Sequence, residues 1–127
     1  MNMCVFCEIY QKEKEKIIAE NNLAFAIFDA YPVNPGHSLI IPKRHYPDFF
    51  QSTVEEISAI YDLLQKVKKI LDEKYHPDGY NVGVNIGETA GQTVFHLHVH
   101  LIPRFKGDVE NPRGGVRNFK NPLVEYK

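Results

Sequence analysis

The stretch HLHVHLIPR, residues 96 to 104, alternates three histidines, His96, His98 and His100, with apolar residues. Alternation with a period of two predicts a β-strand, in which residues i, i+2 and i+4 share one face. The three imidazoles are therefore expected on one side of a sheet and the apolar side chains on the other. Alternate strand residues lie about 6.5–7 Å apart, too far for three rings to share one zinc ion with bonds of about 2 Å. The histidines either have separate roles or form an ordinary solvated face.

The composition is typical of one globular domain. The chain has 127 residues, of which 43% are hydrophobic and 24% charged. A net charge of −1 disfavours a broad nucleic-acid surface, so any phosphate binding is expected to be local. No apolar run is as long as a membrane span, and the N-terminus lacks the pattern of a secretory signal. We therefore expect a cytoplasmic protein that binds neither nucleic acid nor membrane, with Cys4 and Cys7 as thiols or metal ligands rather than a disulfide.

The rest of the chain predicts four more strands and one long helix. Strands are predicted for KIIAE (16–20), LAFAIFD (23–29), HSLIIPK (37–43) and YNVGVNIG (80–87), and a short helical turn for CEIYQKEK (7–14). Thr53 and Glu56 match a capping box at the start of the long helix, and His76-Pro77-Asp78-Gly79 ends it. Its predicted apolar stripe comprises Val54, Ile57, Ile60, Tyr61, Leu64, Val67, Ile70 and Leu71. Strands that are grouped rather than alternating with helices predict an α+β domain with an antiparallel sheet.

The loop directly before the histidines, GETAGQTVF (87–95), has the composition of a phosphate pocket. Its glycines allow backbone amides to approach a ligand closely, and Gln92 and Thr93 add neutral hydrogen-bond donors. Such a pocket binds phosphate with little net positive charge. His37 begins another predicted strand and His45 follows it, so five of the six histidines lie in two segments.

Together these segments resemble the histidine triad (HIT) superfamily of nucleotide hydrolases and transferases. HLHVHLI has the form His-φ-His-φ-His-φ-φ, where φ is apolar, and AIFDAYPVNPGHSLIIPKRH (26–45) and AGQTVFHLHVHLIPR (90–104) resemble the two halves of the family. The resemblance covers residues 4 to about 105 of a single domain, residues 1–127, and leaves 106–127 as a C-terminal tail. It implies a HIT-like fold with a five-stranded antiparallel sheet, one long helix and a short N-terminal helix.

Two branches of the superfamily share features with the chain. GQTV and the LIPR...GD pattern resemble the fragile-histidine-triad branch, which splits dinucleoside polyphosphates. FCEI and the chain length resemble the Hint branch, which splits nucleoside phosphoramidates and acyl-adenylates. The resemblance therefore implies a homodimeric hydrolase or nucleotidyl transferase that acts at the α-phosphate of a purine nucleotide and holds an AMP moiety.

The resemblance also implies a catalytic set of His96, His98, His100 and Gln92. The neutral imidazole of His98 attacks the α-phosphorus and forms a nucleotidyl-histidine, which water then hydrolyses. His100 donates a hydrogen bond to a non-bridging phosphate oxygen. Gln92 and Thr93 hold the bridging oxygen and the leaving group.

The remaining nucleotide-binding positions follow from the same resemblance. Phe6, Ile9 and Ile27 match positions that line the base pocket, with an ordinary core position as the alternative for each. Asp29 matches the position that binds the ribose hydroxyls, with a helix cap or turn cap as the alternative. The implied nucleotide-binding set is Phe6, Ile9, Ile27, Asp29, His37, Asn85, Gln92, Thr93, His98 and His100, in which Asn85 lies near the phosphates and His37 supports the triad.

Some members of the superfamily carry a structural zinc ion, and its ligands match Cys4, Cys7, His45 and His96. Two thiolates and two imidazoles complete a tetrahedral site with no position open for water. The resemblance therefore implies one structural zinc ion per chain, with His96 committed to the metal.

Two other functions are compatible with the sequence. One is a nucleotide-binding regulatory or scaffold protein with weak residual hydrolase activity. The other is a uridylyltransferase-like enzyme, which is disfavoured because the chain corresponds to about one half-module of that fold. The segment NPRGGVR is either a phosphate clamp built on Arg113 and Arg117 or part of a mobile, solvated tail.

Overall fold

The computed structural model of the protein describes residues 4–126, which form one antiparallel sheet and two α-helices. The helices are α1, Val5–Lys12, and α2, Val54–Tyr75. The strands are β1, Ile17–Glu20; β2, Ala24–Phe28; β3, Ser38–Pro42; β4, Gly79–Gly83; and β5, Val99–Arg104. Their order in the sheet is β1-β2-β3-β5-β4, with every neighbouring pair antiparallel. The predicted α+β class, with its five-stranded sheet, long helix and short N-terminal helix, is confirmed.

The long helix begins and ends where the sequence predicts. Thr53 Oγ1 accepts a hydrogen bond from the Glu56 N–H at 3.1 Å, and Glu56 Oε1 accepts one from the Thr53 N–H at 2.9 Å. This capping box satisfies two amides that the first turn leaves free. His76 ends the helix in the left-handed conformation, with φ of 52°. Arg44 also donates two hydrogen bonds to the buried Glu56 carboxylate, and these lower the pKa of that group.

The buried face of α2 differs in part from the predicted stripe. Ile60, Leu63, Val67 and Leu71 are buried against the sheet, whereas Val54 and Tyr61 are 82% and 61% exposed. Each residue turns an α-helix by about 100°, so Tyr61 lies more than a quarter-turn beyond Ile60. Val54 and Tyr61, which the predicted apolar stripe includes, therefore lie outside the buried face, and Leu63, which the prediction omits, lies within it.

The histidine segment begins in a bend at His96 and joins the sheet later than predicted. Regular pairing begins at Val99, because the Leu97 N–H donates to the Tyr46 carbonyl oxygen at 2.9 Å instead of to a neighbouring strand. The alternation nevertheless holds, since the apolar residues between the histidines pack in the core under α2 and the histidines lie on the opposite face. The predicted strand YNVGVNIG also stops early, at Gly83, where its ladder with His100 ends.

The two faces of the sheet are covered unequally. Helix α2 packs on one face, and the short helix α1 covers β2 and β3 on the other. The small cluster under α1 comprises Phe6, Ile9, Phe25, Ile27, Leu39 and Ile41. Because α1 is short, it leaves the histidine side of this face open to a cavity. Between residues 4 and 126, no helix is long and apolar enough to cross a membrane.

Candidate functional site

A cavity of about 740 Å³ lies on the α1 face of the sheet, beside the histidines. Eight of the residues predicted to bind nucleotide line it: Phe6, Ile9, Ile27, Asp29, Asn85, Thr93, His98 and His100. Its other lining residues include Val5, Ile18, Tyr31, Leu39 and Val94, which the sequence did not single out. Leu39 could have been found, because it shares a face of β3 with Ile41 in an alternating segment.

The backbone fixes the proton of the His98 ring on one nitrogen. His98 Nδ1 lies 2.9 Å from the carbonyl oxygen of His96. A carbonyl oxygen only accepts, so Nδ1 of His98 carries the hydrogen and donates it. In the neutral ring Nε2 is then an unprotonated lone pair, available to a ligand in the cavity. The Phe6 ring packs against His98 with centroids 5.0 Å apart and limits how the imidazole can turn.

A chain of hydrogen bonds through His37 places the proton of His100 on Nε2, the nitrogen that is unprotonated in His98. The Val33 N–H donates to His37 Nδ1 at 3.2 Å, so the proton of neutral His37 is on Nε2. That Nε2 lies 2.9 Å from His100 Nδ1 and donates to it. His100 therefore carries its own proton on Nε2. Asp29 Oδ2, 3.4 Å from His37 Nε2, is a further acceptor beside this relay.

Burial lowers the pKa of both His100 and His37 and keeps these two rings neutral near pH 7. The pKa of His100 is lowered to about 4, first by burial and then by the neighbouring His98 and His37. Burial also lowers the pKa of His37, although the Asp29 carboxylate acts in the opposite direction. The site therefore offers one imidazole lone pair and one imidazole N–H side by side, without a cationic ring at His100 or His37.

For Asp29 and for the apolar lining residues, the sequence left a ligand-binding role and a structural role open, and the positions of these residues are compatible with both. Asp29 Oδ1 accepts a hydrogen bond from the Tyr31 N–H at 2.9 Å, which is a turn cap, while the residue also lines the cavity. Phe6, Ile9 and Ile27 are buried in the cluster under α1 and form the apolar wall of the same cavity. These three residues are therefore part of the core and part of the cavity wall at the same time.

Gln92, predicted to hold the bridging oxygen and the leaving group, is not among the residues that line the cavity. It is buried, and its side-chain oxygen accepts from the Gly87 N–H at 2.9 Å. Its Nε2 donates to the carbonyl oxygens of Pro47 and Val94, at 2.6 and 3.0 Å. Both polar atoms of its side-chain amide thus bond to partly buried backbone groups of two loops, which need hydrogen-bond partners there. Gln92 shapes the loop that presents Thr93 and is not itself a wall of the cavity.

The arginines of the NPRGGVR segment also lie outside the cavity. Arg113 and Arg117 stack on the ring of Tyr126, 4.8 and 4.3 Å from its centroid, and Arg113 donates to the Tyr126 carbonyl oxygen. Gly114 and Gly115 have φ of 92° and 51°, so the segment does fold back tightly. In this arrangement the two guanidinium groups hold the tail together.

Four potential metal ligands converge at the N-terminus of α1. The donor atoms of Cys4, Cys7, His45 and His96 all lie within 4.8 Å of one another. His96 Nδ1 is 3.4 Å from Cys4 Sγ, 3.5 Å from Cys7 Sγ and 3.0 Å from His45 Nδ1. Ligand atoms of a tetrahedral zinc ion lie roughly 3.3–3.8 Å apart. The two sulfur–nitrogen distances fall in this range, and the two nitrogens lie slightly closer together.

The surroundings of this cluster also suit a metal ion. His96 Nε2–H donates to the Pro42 carbonyl oxygen at 2.8 Å, which leaves Nδ1 as the ligand nitrogen. Cys4 caps α1, and its Sγ accepts a hydrogen bond from the Cys7 N–H. Without a metal, burial and then Cys4 raise the pKa of Cys7 to about 11. A bound cation would favour the thiolates and release their protons.

Comparison with known proteins places the chain in a family. The profile described as HIT domain matches residues 11–107. An uncharacterized HIT-like protein of Methanocaldococcus jannaschii is 39% identical over 118 residues, which are 91% of each chain. A bis(5'-adenosyl)-triphosphatase of Dictyostelium discoideum is 38% identical over 98 residues, 77% of this chain and 66% of that protein. An adenylylsulfatase of Arabidopsis thaliana is 36% identical over 108 residues, 84% of this chain and 55% of that protein.

A solved structure agrees with these relatives. The crystal structure of a zinc-bound histidine triad family protein from Mycobacterium smegmatis has a TM-score of 0.75 and 36% identity, over 83% of this chain and 77% of that chain. The sequence, the fold and the geometry of the three histidines lead to the same assignment, and the chain belongs to the HIT family.

Proposed function

We propose that the protein is a nucleotide hydrolase or nucleotidyl transferase that cleaves at the α-phosphate through a nucleotidyl-His98 intermediate. The observation that carries this proposal is the opposite protonation of two neighbouring rings. His98 presents an unprotonated Nε2, because its Nδ1–H is held by the His96 carbonyl oxygen. His100 presents an Nε2–H, because its Nδ1 accepts from His37.

In the first step His98 Nε2 attacks the α-phosphorus. A P–N bond forms while the bond from phosphorus to the leaving group breaks, and the leaving group departs with its electron pair. The ring becomes cationic, and its Nδ1–H remains bonded to the His96 carbonyl oxygen, which stabilises that charge. In the second step water attacks the same phosphorus and loses a proton to solvent. The P–N bond breaks with its electron pair returning to Nε2, so His98 is neutral again.

His100 acts on the phosphate oxygens during both steps. Negative charge grows on the non-bridging oxygens as phosphorus is attacked, and the His100 Nε2–H is the donor for one of them. Its low pKa keeps it neutral, so it donates a hydrogen bond without losing its proton at each turnover. His37 supports this role by occupying His100 Nδ1.

The nucleotide is held by the rest of the cavity. Asp29 accepts from the ribose hydroxyls, Asn85 and Thr93 bind near the phosphates, and Gln92 acts through the loop that carries Thr93. The base lies against the apolar wall formed by Phe6, Ile9 and Ile27. The names of the two relatives, bis(5'-adenosyl)-triphosphatase and adenylylsulfatase, support an adenosine nucleotide as the substrate.

We also propose one structural zinc ion per chain at Cys4, Cys7, His45 and His96. The metal would link the start of α1 to the segment that carries His98, and its closed ligand set leaves no place for a reacting water. The chemistry that zinc supplies here is structural. His96 is thus one of the three histidines of the motif, but its proposed role is to bind the metal.

We further propose a homodimer in which β4 pairs with its counterpart in a second copy. β4 is an edge strand, and unpaired edges are commonly covered in native proteins. Val82 is 51% exposed on that edge, and Tyr61 is 61% exposed on α2.

Measuring AMP release from diadenosine polyphosphates and from adenosine phosphoramidate tests the proposed activity. Rapid turnover of either substrate supports the hydrolase and selects its substrate class. Tight binding of AMP with negligible release from both substrates would instead favour the alternative, a nucleotide-binding regulatory or scaffold protein with weak residual activity. The His98→Asn variant, assayed in parallel, shows whether any release depends on this ring.

A further inference from the structure

A network of four polar side chains lies on the histidine face of the sheet, beyond the cavity. Asn34, Asn81, Arg104 and Asp108 form what we call the polar clasp. Arg104 donates to both oxygens of Asp108, at 2.8 and 2.9 Å, and to Asn81 Oδ1 at 2.6 Å. Arg104 is four residues from His100 on β5 and therefore shares its face. The clasp joins β4, β5, the start of the tail and the loop before β3.

Asn34 is the member of the clasp that reaches the loop before β3. Its Nδ2 donates one hydrogen to Asp108 Oδ2 at 2.8 Å and the other to the Pro103 carbonyl oxygen at 2.9 Å. The pKa of Asp108 is held well below its usual range by Arg104, then by the Phe105 N–H. The acceptor for Asn34 therefore stays ionised at neutral pH, and hydrogen bonds to charged groups are the stronger kind.

The turn that contains Asn34, in the loop before β3, also determines which ring nitrogen of His37 carries the proton. The Val33 N–H, adjacent to Asn34, donates to His37 Nδ1 at 3.2 Å. The Asn34 carbonyl oxygen accepts from the His37 N–H at 3.1 Å. The turn at Val33 and Asn34 thus places an N–H against Nδ1 of His37. The Asn34 side chain ties this turn to β5.

We propose that Asn34 is a positioning residue that sets the direction of the His37–His100 hydrogen bond. It holds the Val33 N–H against His37 Nδ1, which keeps the His37 proton on Nε2 and the His100 proton on its own Nε2, toward the cavity. The effect on turnover rests on the proposed function, whereas the effect on protonation does not.

Loss of the clasp at Asn34 has a specific consequence. When the Val33 N–H moves away, His37 is free to carry its proton on Nδ1, and its Nε2 becomes a lone pair facing His100 Nδ1. His100 then gains by moving its proton to Nδ1, since two facing lone pairs repel. The His100 nitrogen at the cavity loses its hydrogen, and the phosphate oxygen loses its donor.

The Asn34→Ala variant tests this inference, with Asn21→Ala as a matched control. Asn21 is also a side chain that ties a turn to another element, donating to the Ala59 carbonyl oxygen at 2.9 Å and accepting from the Ala24 N–H at 2.9 Å. It lies on the α2 side, away from the triad. Both variants are expected to lose some thermal stability, so stability alone does not distinguish them.

The deciding readout is the protonation of the ring nitrogens, measured by ¹⁵N NMR of histidine-labelled protein without substrate. In the wild type and in Asn21→Ala we expect the proton of His100 on Nε2, and in Asn34→Ala a mixture with Nδ1. With a substrate that the wild type hydrolyses, we expect kcat of Asn34→Ala to fall about 10- to 100-fold, in the range of supporting residues, with KM within about twofold. Should Asn34→Ala not fold, Asn34→Ser, which keeps one donor, is expected to shift both readouts in the same direction.

Unchanged protonation of His37 and His100 in the folded Asn34 variants would overturn the inference, as would an equal change in Asn21→Ala. A wild-type protein that hydrolyses no nucleotide would contradict the proposed function alone. The NMR comparison would still decide the role of Asn34 in that case.

Discussion

His37 Nε2 and His100 Nδ1 lie 2.9 Å apart, and the hydrogen bond between them has only one direction in the neutral rings. The Val33 N–H occupies the other nitrogen of His37, so His37 must donate and His100 must accept. His98 is fixed the other way round by the His96 carbonyl oxygen. Two histidines on one segment thus receive opposite roles from their partners in the fold.

Replacing His100 tests the donor. In His100→Ala we expect kcat to fall about 10²–10³-fold, the usual effect of removing one donor to a developing negative charge, with AMP affinity changed much less. Steady-state kinetics and AMP titration by calorimetry measure the two effects. His37→Ala should cost less, and the double variant should cost less than the two single effects combined, because both residues act through one donor. A His100→Ala enzyme altered only in KM would exclude this role.

The proposed zinc ion is structural, so we expect its loss to change metal content and thermal stability more than activity. Protein purified without chelator should contain about one zinc ion per chain, and Cys4→Ser should lose it together with thermal stability. Elemental analysis and thermal unfolding provide the readouts, and wild-type protein stripped by a chelator and reloaded serves as the control. Metal-free wild-type protein that is as stable as the purified protein would argue against a structural zinc site.

The lowered pKa of His100 predicts a pH dependence of stability. The folded state binds a proton at His100 only near pH 4, whereas the unfolded chain binds it near pH 6.5. Between these values the unfolded state holds more protons, so the free energy of unfolding decreases as pH falls. Allowing for its partial exposure, His100 contributes about 1–3 kcal/mol to this loss.

Urea unfolding of the wild type and of His100→Gln between pH 7 and pH 4 measures this contribution. As pH falls, the free energy of unfolding of the wild type should decrease more than that of His100→Gln, because only the wild type carries this group. Zinc ligands titrate in both proteins and largely cancel in the difference. Parallel curves over the whole range would show that His100 is not the group responsible.

The proposed dimer predicts that a charge on β4 separates the protomers. Wild-type protein should scatter light as a dimer at micromolar concentration, and Val82→Lys should be a monomer, because a lysine on an edge strand opposes pairing. Glu20→Lys, on the opposite edge strand β1, should remain a dimer. A monomeric wild type would contradict the proposed interface.

Much of the fold could be predicted from local sequence patterns, whereas most residues of the cavity could be named only through the resemblance to a family. The alternation at His96, His98 and His100 identified the shared face, and Thr53 and Glu56 identified the start of α2. The zinc ligands could be named together only through the resemblance to a family, because Cys4 and His96 are far apart in the chain. Their convergence in the fold agrees with that interpretation.

The remaining features depend on tertiary contacts that no local pattern reveals. Gln92 turns inward and donates to the partly buried carbonyl groups of Pro47 and Val94, and these acceptors come together only once two loops meet. The protonation of His98 and His100 likewise depends on the His96 carbonyl and on the turn before His37. The role of Asn34 lies in the same class, since its partners Pro103 and Asp108 are distant in sequence.

Intact-mass analysis of protein quenched during turnover tests the nucleophile most directly. With adenosine phosphoramidate or a diadenosine polyphosphate, we expect a fraction of the wild type to carry an added adenylyl group, mapped by fragmentation to His98. The adduct should be absent from His98→Asn, which should still bind AMP but lose many orders of magnitude in turnover. Turnover by His98→Asn at a rate near that of the wild type, or an adenylyl group mapped to another residue, would contradict catalysis through His98.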